Sequence, residues 1–143
     1  MKKLIKTKLI AQKEIVVRFS EVDSMQVVWH GNYIQYFEDG RDAFGDKYEL
    51  NFLKIYEQEG LLSPIVKLNC DYKYSLKYGE KAIVETTYLD SQAAKIGFDY
   101  RIFRASNGQL VTTARTIQVF INVKGELQLT MPNFLAEWKK KWL

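Results

Sequence analysis

Apolar side chains recur at helical spacing in one long segment of this chain. Tyr33, Ile34, Phe37, Arg41, Phe44 and Tyr48 lie on one face of a predicted α-helix. Upstream, Val17 and Phe19 alternate with Arg18 and Ser20, the period-2 signature of a half-buried strand. The loop between them carries one acidic side chain, Asp23. His30-Gly31-Asn32 is the expected turn into the helix, with Gly31 permitting an unusual backbone angle and Asn32 serving as N-cap. A shorter helix is predicted from Asn51, a cap, to Gly60, a stop.

Beyond Ser63-Pro64 the period becomes two. Val66, Leu68, Cys70, Tyr72, Tyr74 and Leu76 share one face of a predicted strand, with Lys67, Asn69, Asp71, Lys73 and Lys77 on the other. Tyr78-Gly79-Glu80 marks a turn, and Lys81 to Leu89 is a second strand rich in β-formers. Lys95 to Ala105 is a third, placing Ile96, Phe98, Tyr100 and Ile102 on one side. Asn107-Gly108 predicts a type I′ hairpin into a strand from Gln109 to Val123, and Lys124-Gly125 a further turn, after which Glu126 to Leu129 adds short pairing. After Pro132, Phe134, Leu135, Trp138 and Trp142 fall near one face of a C-terminal helix over 132–142, expected to dock on the sheet or a neighbouring subunit.

One strand, a long helix, a short helix and then four antiparallel strands joined by tight turns define an α+β chain. The long helix is buried only if a five-stranded antiparallel sheet wraps it. Such a sheet has open edges, which edge-to-edge pairing of two copies would close.

At 143 residues, 47% hydrophobic and 14% aromatic, the chain is expected to be a single domain with a substantial core, 1–143, its centre over about 12–125. The net charge of +4 comes largely from lysines near the two ends: Lys2, Lys3, Lys6 and Lys8, then Lys139, Lys140 and Lys141. Without a nucleic-acid-binding signature these are expected to be solvated termini, not a nucleic-acid site, although positive charge favours a polyanionic ligand. One cysteine, Cys70, precludes an intramolecular disulfide and suits a reducing cytoplasm. Lys6 and Lys8 interrupt the apolar start, so no signal peptide or membrane span is expected.

Chemistry centres on Asp23, a carboxylate just upstream of a helix N-terminus whose free N–H groups attract developing negative charge. His30 is the sole histidine and a separate candidate general base; any Ser-His-Asp or Cys-His arrangement would have to use it. Two-histidine metal motifs and glycine-rich phosphate loops are absent. Glu38 and Arg41 are spaced to pair along the helix, Tyr36 and Phe37 are expected in the core, and Cys70 is expected to be an inert buried thiol.

The pattern D-x5-W-H-G-N-Y-x2-Y-F-E-x2-R, from Asp23 to Arg41, resembles the signature of hotdog-fold acyl-CoA thioesterases of the 4-hydroxybenzoyl-CoA thioesterase type. Strand and turn order extend the resemblance over about residues 12–125. Gln26 stands where that family commonly has a glycine. The resemblance implies a hotdog fold, with Asp23 as nucleophile or general base in its ionised form. It further implies that backbone N–H groups at His30 and Gly31 form an oxyanion hole, and that Trp29, Asn32, Tyr33 and Lys95 contact substrate. Lys95 would lie at the nucleotide end of coenzyme A. Implied partners are an acyl-CoA substrate and further copies of the chain, as a dimer or dimer of dimers. Coenzyme A enters only as part of the substrate, and no metal or organic cofactor is expected. An acyl-carrier-protein donor and a non-catalytic acyl-CoA-binding scaffold are the alternative readings.

Overall fold

The computed structural model describes residues 8–143; the N-terminal lysines Lys2, Lys3 and Lys6 lie outside them, while Lys8 is exposed. In chain order the elements are β1 (Ile10–Val16), α1 (Tyr33–Tyr48), α2 (Phe52–Glu59), β2 (Leu61–Leu62), β3 (Ile65–Tyr72), β4 (Lys81–Leu89), β5 (Lys95–Arg104), β6 (Leu110–Val119), β7 (Ile121–Asn122) and α3 (Asn133–Trp142). Five strands form one sheet in the order β1-β4-β5-β6-β3, with every neighbouring pair antiparallel. The sheet carries α1 against its inner face, the hotdog arrangement. A small β2–β7 ladder sits beside it.

The face of α1 that meets the sheet carries Tyr33, Tyr36, Phe37, Phe44 and Tyr48, all buried. Phe44 packs edge-on to Phe98 of β5 at 5.1 Å between ring centres and near Tyr88 of β4 at 6.2 Å. Each such side chain contributes about 1.5–3 kcal/mol by leaving water. Gly40 sets the approach: a Cβ there would sit 2.4 Å from Thr86 Oγ1 and 2.9 Å from Val84 Cγ1. The expected α2 caps are present, Asn51 Oδ1 accepting from the Lys54 N–H at 3.0 Å and Gly60 taking φ 66°. Helix α3 closes the far end of α1, where buried Trp138 donates its indole N–H to the Tyr48 carbonyl at 2.7 Å. Lys139 pairs with Asp90 at 2.8 Å and Lys141 with Glu49 at 2.9 Å, so part of the C-terminal lysine charge is internally matched. No helix among the described residues is long and apolar enough to cross a membrane.

Several local expectations are corrected. The first strand is Ile10–Val16, whereas Phe19–Glu21 forms a 3₁₀ turn with Phe19 76% exposed. Strand β3 stops at Tyr72, four residues short of the predicted Leu76, because the Lys73 and Tyr74 N–H groups both turn onto the Val111 carbonyl. The predicted Gln109–Val123 strand breaks at Phe120, whose buried ring leaves β6 and β7 in different sheets. Asn107-Gly108 is not a type I′ turn: only Gly108 has positive φ (72°), and its N–H reaches back to the Arg104 carbonyl, closing a longer loop with a bulge. Ile34 points outward, 44% exposed. Among the described residues Glu38 and Arg41 form no ion pair; Arg41 instead donates to the Tyr100 hydroxyl at 3.0 Å, which shares a 2.6 Å bond with Thr116.

Candidate active site

The segment from Glu21 to Tyr33 is a compact frame built mainly from backbone bonds. Asp23 and Gln26 close a tight turn, the Gln26 N–H donating to the Asp23 carbonyl and the Asp23 N–H to the Val27 carbonyl, each at 2.9 Å. This is a turn followed by a left-handed residue, and Gln26 supplies it at φ 66°. Gln26 thus adopts the conformation that glycine accepts without strain, at the position where the resembled family commonly has glycine. The Asp23 side chain supports its own turn: Oδ1 accepts from the Met25 N–H at 2.8 Å, and Oδ2 has no partner among the described residues. The other limb of the loop is tied down by the Val28 N–H on the Leu76 carbonyl and the Trp29 N–H on the Glu21 carbonyl.

The chain then enters α1 through a 3₁₀ turn, His30–Asn32. Two expectations about this turn are revised. Gly31 does not use positive φ. It is required for space instead: a Cβ there would lie 2.4 Å from the Trp29 ring, which folds over it. Asn32 has helical backbone angles and makes no side-chain cap, and its side chain is turned toward the Tyr36 hydroxyl. As first residues of the helical run, His30 and Gly31 have N–H groups without intrahelical acceptors.

Asp23, His30 and Tyr33 line one cleft of about 240 Å³, completed by Val27 and Val28 of the loop and by Tyr72 to Ser75 at the end of β3. Tyr33 is buried, with its hydroxyl accepting from the Leu76 N–H at 3.3 Å and its ring edge-on to Tyr72 at 5.2 Å. Trp29 is not in the cleft wall; it is 53% exposed, capping Gly31 and lying 5.2 Å from the His30 ring. Lys95 is not there either. It lines a separate depression on the outer sheet face with Lys67, Asn69 and Arg115, the last paired with Asp99 at 2.7 Å.

Two contributors escaped the sequence pattern. Tyr72 was legible only as one of an apolar strand face, yet its phenol donates to the His30 carbonyl at 2.7 Å. Glu21 accepts from the buried Tyr36 hydroxyl at 2.9 Å and from the Arg18 N–H at 2.8 Å, pinning the loop to α1. Burial, reinforced by the Glu21 carboxylate, pushes the Tyr36 phenol well above its ordinary range and keeps it a donor. Cys70 is half-buried, and burial pushes its thiol up, away from the reactive thiolate. No group of three metal-ligating side chains occurs among the described residues.

Its relatives put this hotdog fold, with Asp23 and His30 lining one cleft, among the thioester hydrolases. Residues 17–139 match the Thioesterase-like superfamily, and the chain belongs to it. The chain is 33% identical over 130 residues to a Bacillus subtilis protein named "Putative acyl-CoA thioesterase YneP", covering 90% of this chain and 92% of that one. Among solved structures, a DHNA-CoA thioesterase from Staphylococcus aureus superposes with TM-score 0.82 at 29% identity, over 92% of this chain and 90% of that one. The fold is shared as well with a 4-hydroxybenzoyl-CoA thioesterase, TM-score 0.79 at 21% identity over 91% of this chain and 98% of that one.

Proposed function

We propose that the chain is an acyl-CoA thioesterase, releasing a free acid and coenzyme A, with Asp23 as its central group. The observation that carries this reading is the convergence of Asp23, His30 and Tyr33 on one cleft from a turn, a 3₁₀ segment and a helix. The names of the Bacillus subtilis relative and the Staphylococcus aureus structure support a coenzyme A donor.

Two routes use the same groups. As general base, Asp23 takes a proton from water while the water oxygen attacks the thioester carbonyl. As nucleophile, its carboxylate attacks instead, giving a mixed anhydride that water then hydrolyses. In both, the carbonyl oxygen becomes an oxyanion facing the His30 and Gly31 N–H groups, and the tetrahedral centre collapses to expel the thiolate of coenzyme A. Tyr33 forms the acyl-side wall and Trp29 shields the turn. Asn32 is the polar group at the helix start. Lys95, with Lys67, supplies positive charge for the phosphates. The oligomer, a dimer or dimer of dimers, would form along β3, an edge strand that leaves Val66 58% and Tyr72 48% exposed.

Thiol release measured with purified protein on short-, medium- and long-chain and aromatic acyl-CoAs, and on matched acyl-carrier-protein donors, tests the function. Asp23→Asn is expected to lower kcat by about 10²- to 10⁴-fold, the range for a positioned acid–base group. Undiminished turnover by that variant eliminates the mechanism.

A further inference from the structure

The two peptide groups that present the His30 and Gly31 N–H donors are held in different ways. The Trp29–His30 peptide is fixed by the chain itself, its carbonyl accepting from the Asn32 N–H at 2.8 Å. The carbonyl of the next peptide, His30–Gly31, is held by a side chain from 42 residues away, the Tyr72 phenol at 2.7 Å. In a trans peptide the C=O and N–H point in opposite directions, so whatever fixes the His30 oxygen also fixes the direction of the Gly31 hydrogen. A bond accepted by the carbonyl further polarises the N–H at the other end of the same amide.

We propose that Tyr72 is a positioning residue of the thioesterase, its phenol orienting and polarising the His30–Gly31 peptide so that the Gly31 N–H meets the oxyanion. The inference rests on the proposed Asp23 mechanism and adds to it a group that does not itself touch the reacting atoms. The Tyr72 ring is held for this task against Tyr33 at 5.2 Å and the His30 imidazole at 6.4 Å. Burial raises the phenol to about 12, so it stays a protonated donor at neutral pH. Tyr72 is the last residue of the edge strand β3, so its hydroxyl ties that strand's end to the turn.

The decisive variant is Tyr72→Phe, which keeps both ring contacts and removes only the hydroxyl. In the full-length protein kcat is expected to fall by about 10- to 100-fold with KM within about twofold, somewhat less than deletion of an oxyanion donor outright. Unchanged kcat, or a rise in KM alone, overturns the inference. A second measurement replaces Tyr72 with a difluorotyrosine, whose phenol ionises at lower pH while shape is kept. The alkaline loss of kcat is then expected at lower pH than in the parent, and an unmoved alkaline limb overturns the inference even if Tyr72→Phe folds poorly. Asp23→Asn, assayed beside them, separates the two levels. An inactive Asp23→Asn with a fully active Tyr72→Phe sinks only the positioning role, whereas an active Asp23→Asn removes the site reading and this inference with it.

Discussion

The packing of α1 on the sheet places the whole candidate site, and Gly40→Ala probes it directly. On an isolated helix the change would stabilise, since alanine is favoured over glycine by about 1 kcal/mol in a helix interior. Here the new Cβ would stand 2.4 Å from Thr86 Oγ1 and 2.9 Å from Val84 Cγ1, both distances below any ordinary contact. Neither neighbour has a free end to swing away: Thr86 and Val84 are both fully buried on β4. Overpacking of a core costs about 1–3 kcal/mol, and two simultaneous contacts argue for the upper part of that range. Subtracting the propensity gain leaves a net loss of about 1–2 kcal/mol. For a domain of this size that is a fall in Tm of roughly 3–7 °C. Thermal unfolding followed by circular dichroism is the assay, with Thr86→Ala in a double-mutant cycle to isolate the contact. The cycle should show Thr86→Ala recovering part of the loss. A Tm that stays level or rises in Gly40→Ala would show that α1 does not approach β4 this closely.

Two further outcomes follow from other parts of the fold. Trp138→Phe leaves the Tyr48 carbonyl at the end of α1 without its indole donor, and a loss of about 1–3 kcal/mol in chemical denaturation is expected; a change within 0.5 kcal/mol, roughly the scatter of surface substitutions, would contradict the docking. Burial alone would raise the Glu80 carboxyl, but bonds from Arg104 and the Lys77 N–H outweigh it and hold it below the usual carboxylate value. A group lowered in the folded state stabilises above its unfolded pKa and loses that contribution as pH falls through the folded value, so the effect belongs to the acid side. Glu80→Gln should therefore narrow the stability difference between pH 7 and about pH 3; an unchanged acid limb refutes the assignment.

Much of this architecture is legible locally. Strands β4 and β5 follow from alternation, helix α1 from helical spacing and α2 from its cap residues, because each signal sits within or beside the element it specifies. Strand β1 carries no such signal, since its burial does not alternate: Ala11 and Ile15 are buried, and the residues between them, Gln12 to Glu14, are exposed along an edge strand. Conversely, Val17 and Phe19 imitate a strand, but Phe19 serves a turn and packs on Tyr78, an arrangement that only the folded loop creates. At Gly31 the demand for glycine is steric, from Trp29 folding back over it, and not the dihedral angle that the turn suggests. The Asp23–His30–Tyr33 grouping was visible as a spacing, whereas the contributions of Tyr72 and Glu21 depend on tertiary contacts that no local period encodes.

The most direct test of the account is a crystal structure of Asp23→Asn with an intact acyl-CoA bound. The thioester carbonyl oxygen is expected at about 2.7–3.1 Å from the His30 or Gly31 nitrogen, with residue 23 beside the carbonyl carbon. A thioester bound with its carbonyl directed away from both amides, or seated outside this cleft, would contradict the account.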